Sequence, residues 1–184
     1  MFDLDILWTQ AINARAGHAG LFDWAMINVS RLAVPLLVLV VALQWWRSGP
    51  FRQIDRHTIV AAGLTCASAL VVNQIILLFI QRSRPYVHGI THLLTSPSTD
   101  PSFPSDHAAA TFAIAAAFLL HGANRRGILF MLLAAIVSYS RVYIGTHYVS
   151  DVVGGALVAV VTAIAVILAF RPGTRLDQFL VNIL

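Results

Sequence analysis

Residues 58–80 contain no charged side chain. As a helix rising about 1.5 Å per residue, such a run is long enough to cross the roughly 30 Å of hydrocarbon in a bilayer. In that solvent every backbone N–H and C=O must be satisfied internally, which leaves helices or a closed barrel, and a run this long is a helix rather than a strand. Further apolar runs at 25–46, 106–120, 128–143 and 149–170 make five predicted spans. The chain is 58% hydrophobic and 11% charged, with mean hydropathy +0.78, outside the range of soluble domains. The expected fold class is therefore an all-α integral membrane bundle, a single domain over 184 residues.

The remaining features fit that frame. A net charge of +4 in a soluble protein would suggest a nucleic-acid partner, but all 12 basic residues are arginines, mostly between apolar runs, so a lipid bilayer is expected and no nucleic acid. Residues 1–24 alternate apolar Leu4, Ile6, Leu7 and Trp8 with Asp3, Asp5 and Asn13, which reads as an interfacial amphipathic helix ending near Gly17. Asp3 and Asp5 stand where a cleavable signal peptide would carry basic residues. Pro35 is expected to kink the first span, and Arg31 to need snorkelling or a polar partner. Cys66 lies in an apolar run and is read as a packing residue, and Asn73 and Gln74 as interhelical hydrogen-bonding groups. Arg47, Arg52, Arg56, Arg125, Arg126, Arg171 and Arg175 share one side if there are five spans, and the excess of arginine makes that side cytoplasmic. Residues 171–184 then form a cytoplasmic tail.

The polar segments 81–105 and 141–150 consequently meet on the other face. The first, with Pro85, Pro97, Pro101 and Pro104, is too long and irregular for a simple connector and is expected to form a rim or lid. The two segments bring Arg82, Arg84, Ser105, His107, Arg141, His147 and Asp151 to one pocket. If a helix begins near His147, Asp151 lies one turn on and can hold His147 in the tautomer that leaves Nε2 as a nucleophile. Ser105 is a predicted N-cap, and the N-terminus behind it favours an anion. Arginines plus that helix end describe a phosphate site, with His147 attacking phosphorus and His107 protonating the leaving oxygen. His18, His57 and His121 read as interfacial anchors. His88 and His92 are four residues apart without an acidic neighbour at ligand spacing, so no metal site is assigned there.

Pro104-Ser105-Asp106-His107 and Ser140-Arg141-x5-His147-x3-Asp151 resemble the second and third signature motifs of the type 2 phosphatidic acid phosphatase superfamily, and Arg84-Pro85 resembles the end of the first. The resemblance implies a helical bundle shared with the vanadium haloperoxidases and a phosphatase that needs no metal or other cofactor. It places the nucleophile at His147, the general acid at His107 and the orienting carboxylate at Asp151, with Arg84, Ser105 and Arg141 on phosphate oxygens. It departs at Leu77, where the family's first motif has a lysine, and Arg82 is the candidate replacement. It departs again at Asp106, which replaces glycine and resembles the undecaprenyl-pyrophosphate phosphatases associated with bacitracin resistance. An acid there suits either a proton relay to His107 or repulsion of a third charge.

The expected activity is hydrolysis of undecaprenyl pyrophosphate through a phosphohistidine, in a bacterial inner membrane with the site facing outward. Phosphatidylglycerol phosphate, phosphatidate and lipid A 1-phosphate are rival substrates. A non-catalytic lipid-phosphate binding or transport protein, and a metal-dependent hydrolase using His88, His92 and Asp100, are rival classes.

Overall fold

A computed structural model of the chain describes residues 2–183; Met1 and Leu184, at the ends of the leader and the tail, lie outside it, as does the side chain of Phe2. The described residues form α1 (Phe2–Asn13), α2 (Gly20–Leu43), α3 (Arg52–Phe79), α4 (Asp106–Leu120), α5 (Asn124–Tyr143), α6 (Val149–Ala169) and α7 (Arg175–Val181), with short 3-10 turns at Gln44–Trp46 and Pro85–His88. No strand occurs among them. The all-α membrane bundle expected from the hydropathy pattern is the fold.

Four helices, α2, α3, α5 and α6, are long and apolar enough to span a bilayer, whereas α4 is shorter. At about 1.5 Å per residue, its 15 residues fall short of the hydrocarbon thickness. It is nevertheless the centre of the bundle, packed against α3, α5 and α6. Its sequence explains this: Ala108, Ala109, Ala113 and Ala115 are wholly buried, so a helix apolar all round and lined with small side chains lets its neighbours come close. Ala69 of α3 and Ala159 of α6 complete that contact. At its other end Phe118 and Ile114 pack with Leu37, Val41 and Ala62.

Glycine closes the bundle at the end that matters for function. A Cβ on Gly155 would lie 2.5 Å from the Ser105 carbonyl oxygen, and one on Gly154 2.4 Å from the Phe103 ring. The α6 backbone can therefore rest against the start of α4.

Several boundaries differ from expectation. α3 begins at Arg52 rather than near residue 58, because Arg56 and His57 are buried against α7 instead of lying in a loop. His57 is accordingly no interfacial anchor: its Nδ1–H donates to Asp177 Oδ1 at 2.7 Å, and its ring stacks on Phe170. Residues 175–181 are a helix, N-capped by the Thr174 hydroxyl and tied back to α3, so this part of the tail is packed. α6 starts at Val149, where the apolar run 149–170 places it, with Tyr148 as N-cap, so His147 lies in the preceding turn rather than on the helix. Arg31 is exposed and lines a cavity of about 640 Å³ with Ser30, Leu94, His107 and Arg141.

Candidate active site

The helix ends α3-C, α4-N, α5-C and α6-N face one pole of the bundle, and the 80–105 and 144–148 connections cover it. A cavity of about 590 Å³ opens there, lined by Arg84, Asp106, His107, Arg141 and His147 on its polar side. Leu77 and Leu78 of α3 form part of its wall, and Leu78 is 74% exposed on the bundle surface. The cavity thus joins a cationic interior to an apolar lip.

His147 is buried in the turn between α5 and α6. Gly145 makes that turn possible: its φ of +84° suits glycine, and a Cβ there would meet the His92 carbonyl at 2.4 Å. His147 Nδ1 lies 2.9 Å from the Ser102 carbonyl oxygen and 3.4 Å from Asp151 Oδ2. Both partners only accept, so Nδ1 is the donor, and in the neutral ring Nε2 carries the lone pair. The shorter contact makes Ser102 the main acceptor, with the carboxylate beside it. Arg84 Nη1 approaches Nε2 at 3.4 Å. Burial pushes the His147 imidazole below its ordinary value, against the pull of the Asp151 hydrogen bond.

Asp151 is fully buried and held on every side. It accepts from Arg82 Nη1 and Tyr148 N–H at 2.7 and 2.8 Å, and from the Ser102 hydroxyl. Its own carbonyl receives the Ser105 N–H at 3.0 Å, joining α6 to the start of α4. An ionised carboxylate in such a place requires a cation, and Arg82 is there.

The arginines divide into two groups. Arg84 Nε and Nη1 donate to the carbonyls of Asp100 and Thr146 at 2.9 and 3.1 Å, which fixes the guanidinium on the cavity wall. Arg141 Nη1 donates to Ser30 Oγ at 2.6 Å, while its Nε is buried without a protein partner. Arg82 is instead directed to Asp151, Ser150 and Asp5, with its guanidinium 3.8 Å above the Tyr148 ring, and does not line the main cavity.

Ser105 occupies the N-cap position of α4, but its hydroxyl makes no capping bond and is buried without a partner. Asp106 lines the cavity and accepts from Asn73 and Gln74 at 2.8 and 3.2 Å. These two amides join α3 to α4, as expected of polar groups inside a span, and they do so at the site. His88 and His92 are exposed, and among the described residues no group of three or more His, Cys, Asp or Glu could hold a metal ion.

Sequence reasoning missed Ser102, Asp5 and Thr146. Ser102 has no local signature; it meets His147 only because the 101–105 segment folds over α6. Asp5 carried the sole available signal, a carboxylate repeating at helical spacing with Thr9 and Asn13.

The arrangement can bind an anion through fixed guanidinium groups and offer it an imidazole lone pair. Comparison with known proteins identifies the family. The sequence profile of the PAP2 superfamily matches residues 58–175. Undecaprenyl-diphosphatase BcrC of Bacillus subtilis is 31% identical over 153 residues, 83% of this chain and 77% of that protein. The putative undecaprenyl-diphosphatase YbjG of Escherichia coli is 34% identical over 128 residues, 70% of this chain and 62% of that protein. The crystal structure of Aquifex aeolicus LpxE superposes with a TM-score of 0.71 at 24% identity, covering 89% of this chain and 94% of that one, a likeness of fold. With the motifs, the bundle and the profile in agreement, the chain belongs to the PAP2 superfamily and is a multi-pass membrane lipid phosphatase.

Proposed function

We propose that the protein hydrolyses undecaprenyl diphosphate to undecaprenyl phosphate and inorganic phosphate through a phosphohistidine on His147. One observation carries this reading: a buried imidazole whose Nδ1 is committed to Ser102 and Asp151, and whose Nε2 stands 3.4 Å from Arg84 on the cavity wall. Nε2 attacks the terminal phosphorus, the bond from phosphorus to the bridging oxygen breaks, and His107 gives that oxygen its proton. Water then attacks the phosphohistidine, the P–N bond breaks, and His107 takes the water proton. Arg84, Arg141 and the unpartnered Ser105 hydroxyl stabilise charge on the transferred group. Asp106, held by Asn73 and Gln74, borders His107 and fits the proton-relay role.

The names carried by the two relatives support the diphosphate as substrate, and the apolar lip at Leu77 and Leu78 suits a substrate with a lipid tail. The arginine distribution supports a site facing away from the cytoplasm with the tail inside, and the two bacterial relatives support the inner (cytoplasmic) membrane of a bacterium as its place. Phosphatidylglycerol phosphate, phosphatidate and lipid A 1-phosphate are the rival substrates, and a metal-dependent route is the rival mechanism.

Phosphate release by the purified protein in detergent with excess EDTA separates these. Undecaprenyl diphosphate, phosphatidylglycerol phosphate, phosphatidate and lipid A 1-phosphate are offered in parallel. Release favouring the diphosphate is expected. Preference for another lipid would replace the substrate, and restoration only by added metal would replace the mechanism.

A further inference from the structure

The profile match begins at residue 58, so it assigns nothing to α1. That helix is folded with its polarity reversed. Asp5, Thr9 and Asn13, each four residues apart, form one stripe, and the stripe faces the protein. Thr9 and Asn13 are buried, at 0% and 6% exposure, while Leu4, Leu7 and Trp8 stand outward, each more than half exposed. An amphipathic helix bordered by water would present the opposite face; one bordered by lipid presents this one.

Each residue of the stripe holds a part of the site. The Asn13 amide donates to the carbonyls of Tyr143 and His92 at 2.6 and 3.0 Å and accepts the His92 N–H at 2.7 Å. Thr9 Oγ1 accepts the first N–H of α6, from Val149, at 3.1 Å. Asp5 accepts the Ser150 N–H at 2.9 Å, the Ser150 hydroxyl at 2.5 Å and Arg82 Nη2 at 2.7 Å. Arg82 Nη1 in turn donates to Asp151 at 2.7 Å. Two carboxylates therefore share one guanidinium, each engaging a different nitrogen. Burial pushes the Asp5 carboxyl up, but hydrogen bonds from Arg82 and Ser150 outweigh it and hold the group below its ordinary range.

We propose that α1 belongs to the reaction machinery, with Asp5 a positioning residue that acts through Arg82 on Asp151. A guanidinium is a rigid planar fork, so fixing one nitrogen on Asp5 sets the direction in which the other meets Asp151. Without Asp5 the long arginine side chain regains rotamers, the buried Asp151 carboxylate loses its aligned cation, and His147 is oriented less well. The inference rests on the reading above, in which Asp151 orients His147. It also accounts for a positive charge that replaces no first-motif lysine: Arg82 serves the carboxylate rather than the substrate.

The test is a double-mutant cycle on the full chain in detergent with undecaprenyl diphosphate, with Tm measured for each variant. Asp5→Asn should lower kcat by about 10- to 100-fold, the scale of outer-shell losses, with KM changed less than about twofold. In an Arg82→Ala background Asp5→Asn should cost nothing more. Asp5→Glu, which keeps the charge, should retain more of kcat than Asp5→Asn. Wild-type kcat in Asp5→Asn, a rise confined to KM, additive losses with Arg82→Ala, or equal losses in Asp5→Glu and Asp5→Asn would each overturn the proposal. His147→Ala run alongside separates the two levels. If it loses turnover while the Asp5 variants do not, the inference alone falls; if it keeps turnover, the phosphohistidine reading falls and takes the inference with it.

Discussion

Each pole of the bundle holds a buried histidine whose Nδ1 is tied to an aspartate. At one, His147 is bound to Ser102 and flanked by Asp151. At the other, His57 donates to Asp177 at 2.7 Å, closer than the 3.4 Å between His147 and Asp151. Both poles have a cavity beside the imidazole, about 590 and 430 Å³. Both have a second histidine on the cavity wall, His107 and His121. A histidine–aspartate pair next to a cavity therefore does not identify an active site.

Arginine makes the difference. Arg84 and Arg141 line the first cavity, and the wall of the second contains no arginine. Two arginines near the second pole are engaged in structure: Arg126 with Asp55 and Gln44, Arg56 with the Val181 carbonyl and the Trp45 ring. His57 lies flat on Phe170 with its Nε2 buried and unpartnered, whereas His147 Nε2 meets Arg84. His57 is a fastening between α3 and α7; His147 is placed against a cavity lined by arginine.

The comparison can be broken in four ways, of decreasing effect. His147→Ala should abolish phosphate release, by on the order of 10⁶ in kcat, as deletion of a covalent nucleophile does elsewhere. Single-turnover release of phosphate checks this, and substantial residual turnover would remove the distinction between the poles. Asp151→Asn should cost roughly 10⁴ in kcat, the scale for loss of an orienting aspartate, and steady-state assay decides it.

His57→Ala at the opposite pole should leave kcat within about twofold, because the site is far from it. It should lower Tm by about 2–4 °C for each kcal/mol lost with the buried bond. A thermal melt and an activity assay on one preparation test both halves, and a large fall in kcat at unchanged Tm would make the second pole functional.

The smallest effect concerns pH. Burial holds the His147 imidazole below its ordinary value, so its neutral form persists as pH falls. The acid limb of kcat/KM should accordingly lie below about 6.5, the value for a free histidine. A limb at or above that pH would mean that His147 is not the group that must be unprotonated.

The sequence by itself determined the membrane bundle, since long uncharged runs admit no other spanning form, and it brought the Arg84, His107, Arg141, His147 and Asp151 positions to one face by counting crossings. It also contained the family motifs, because residues that act on one phosphate are constrained in type and local spacing. It did not reveal that α4, whose 15 residues are too few to cross the hydrocarbon alone, is the centre of the bundle, which depends on how closely its alanines let α3, α5 and α6 approach. The partners of those site residues were equally hidden. Ser102 reaches His147, and Asp5 reaches Arg82, across separations of 45 and 77 residues, and no local pattern specifies such meetings. Arg82 shows the limit most plainly: as a residue type it suits a phosphate, and only the tertiary structure places it between the carboxylates of Asp5 and Asp151.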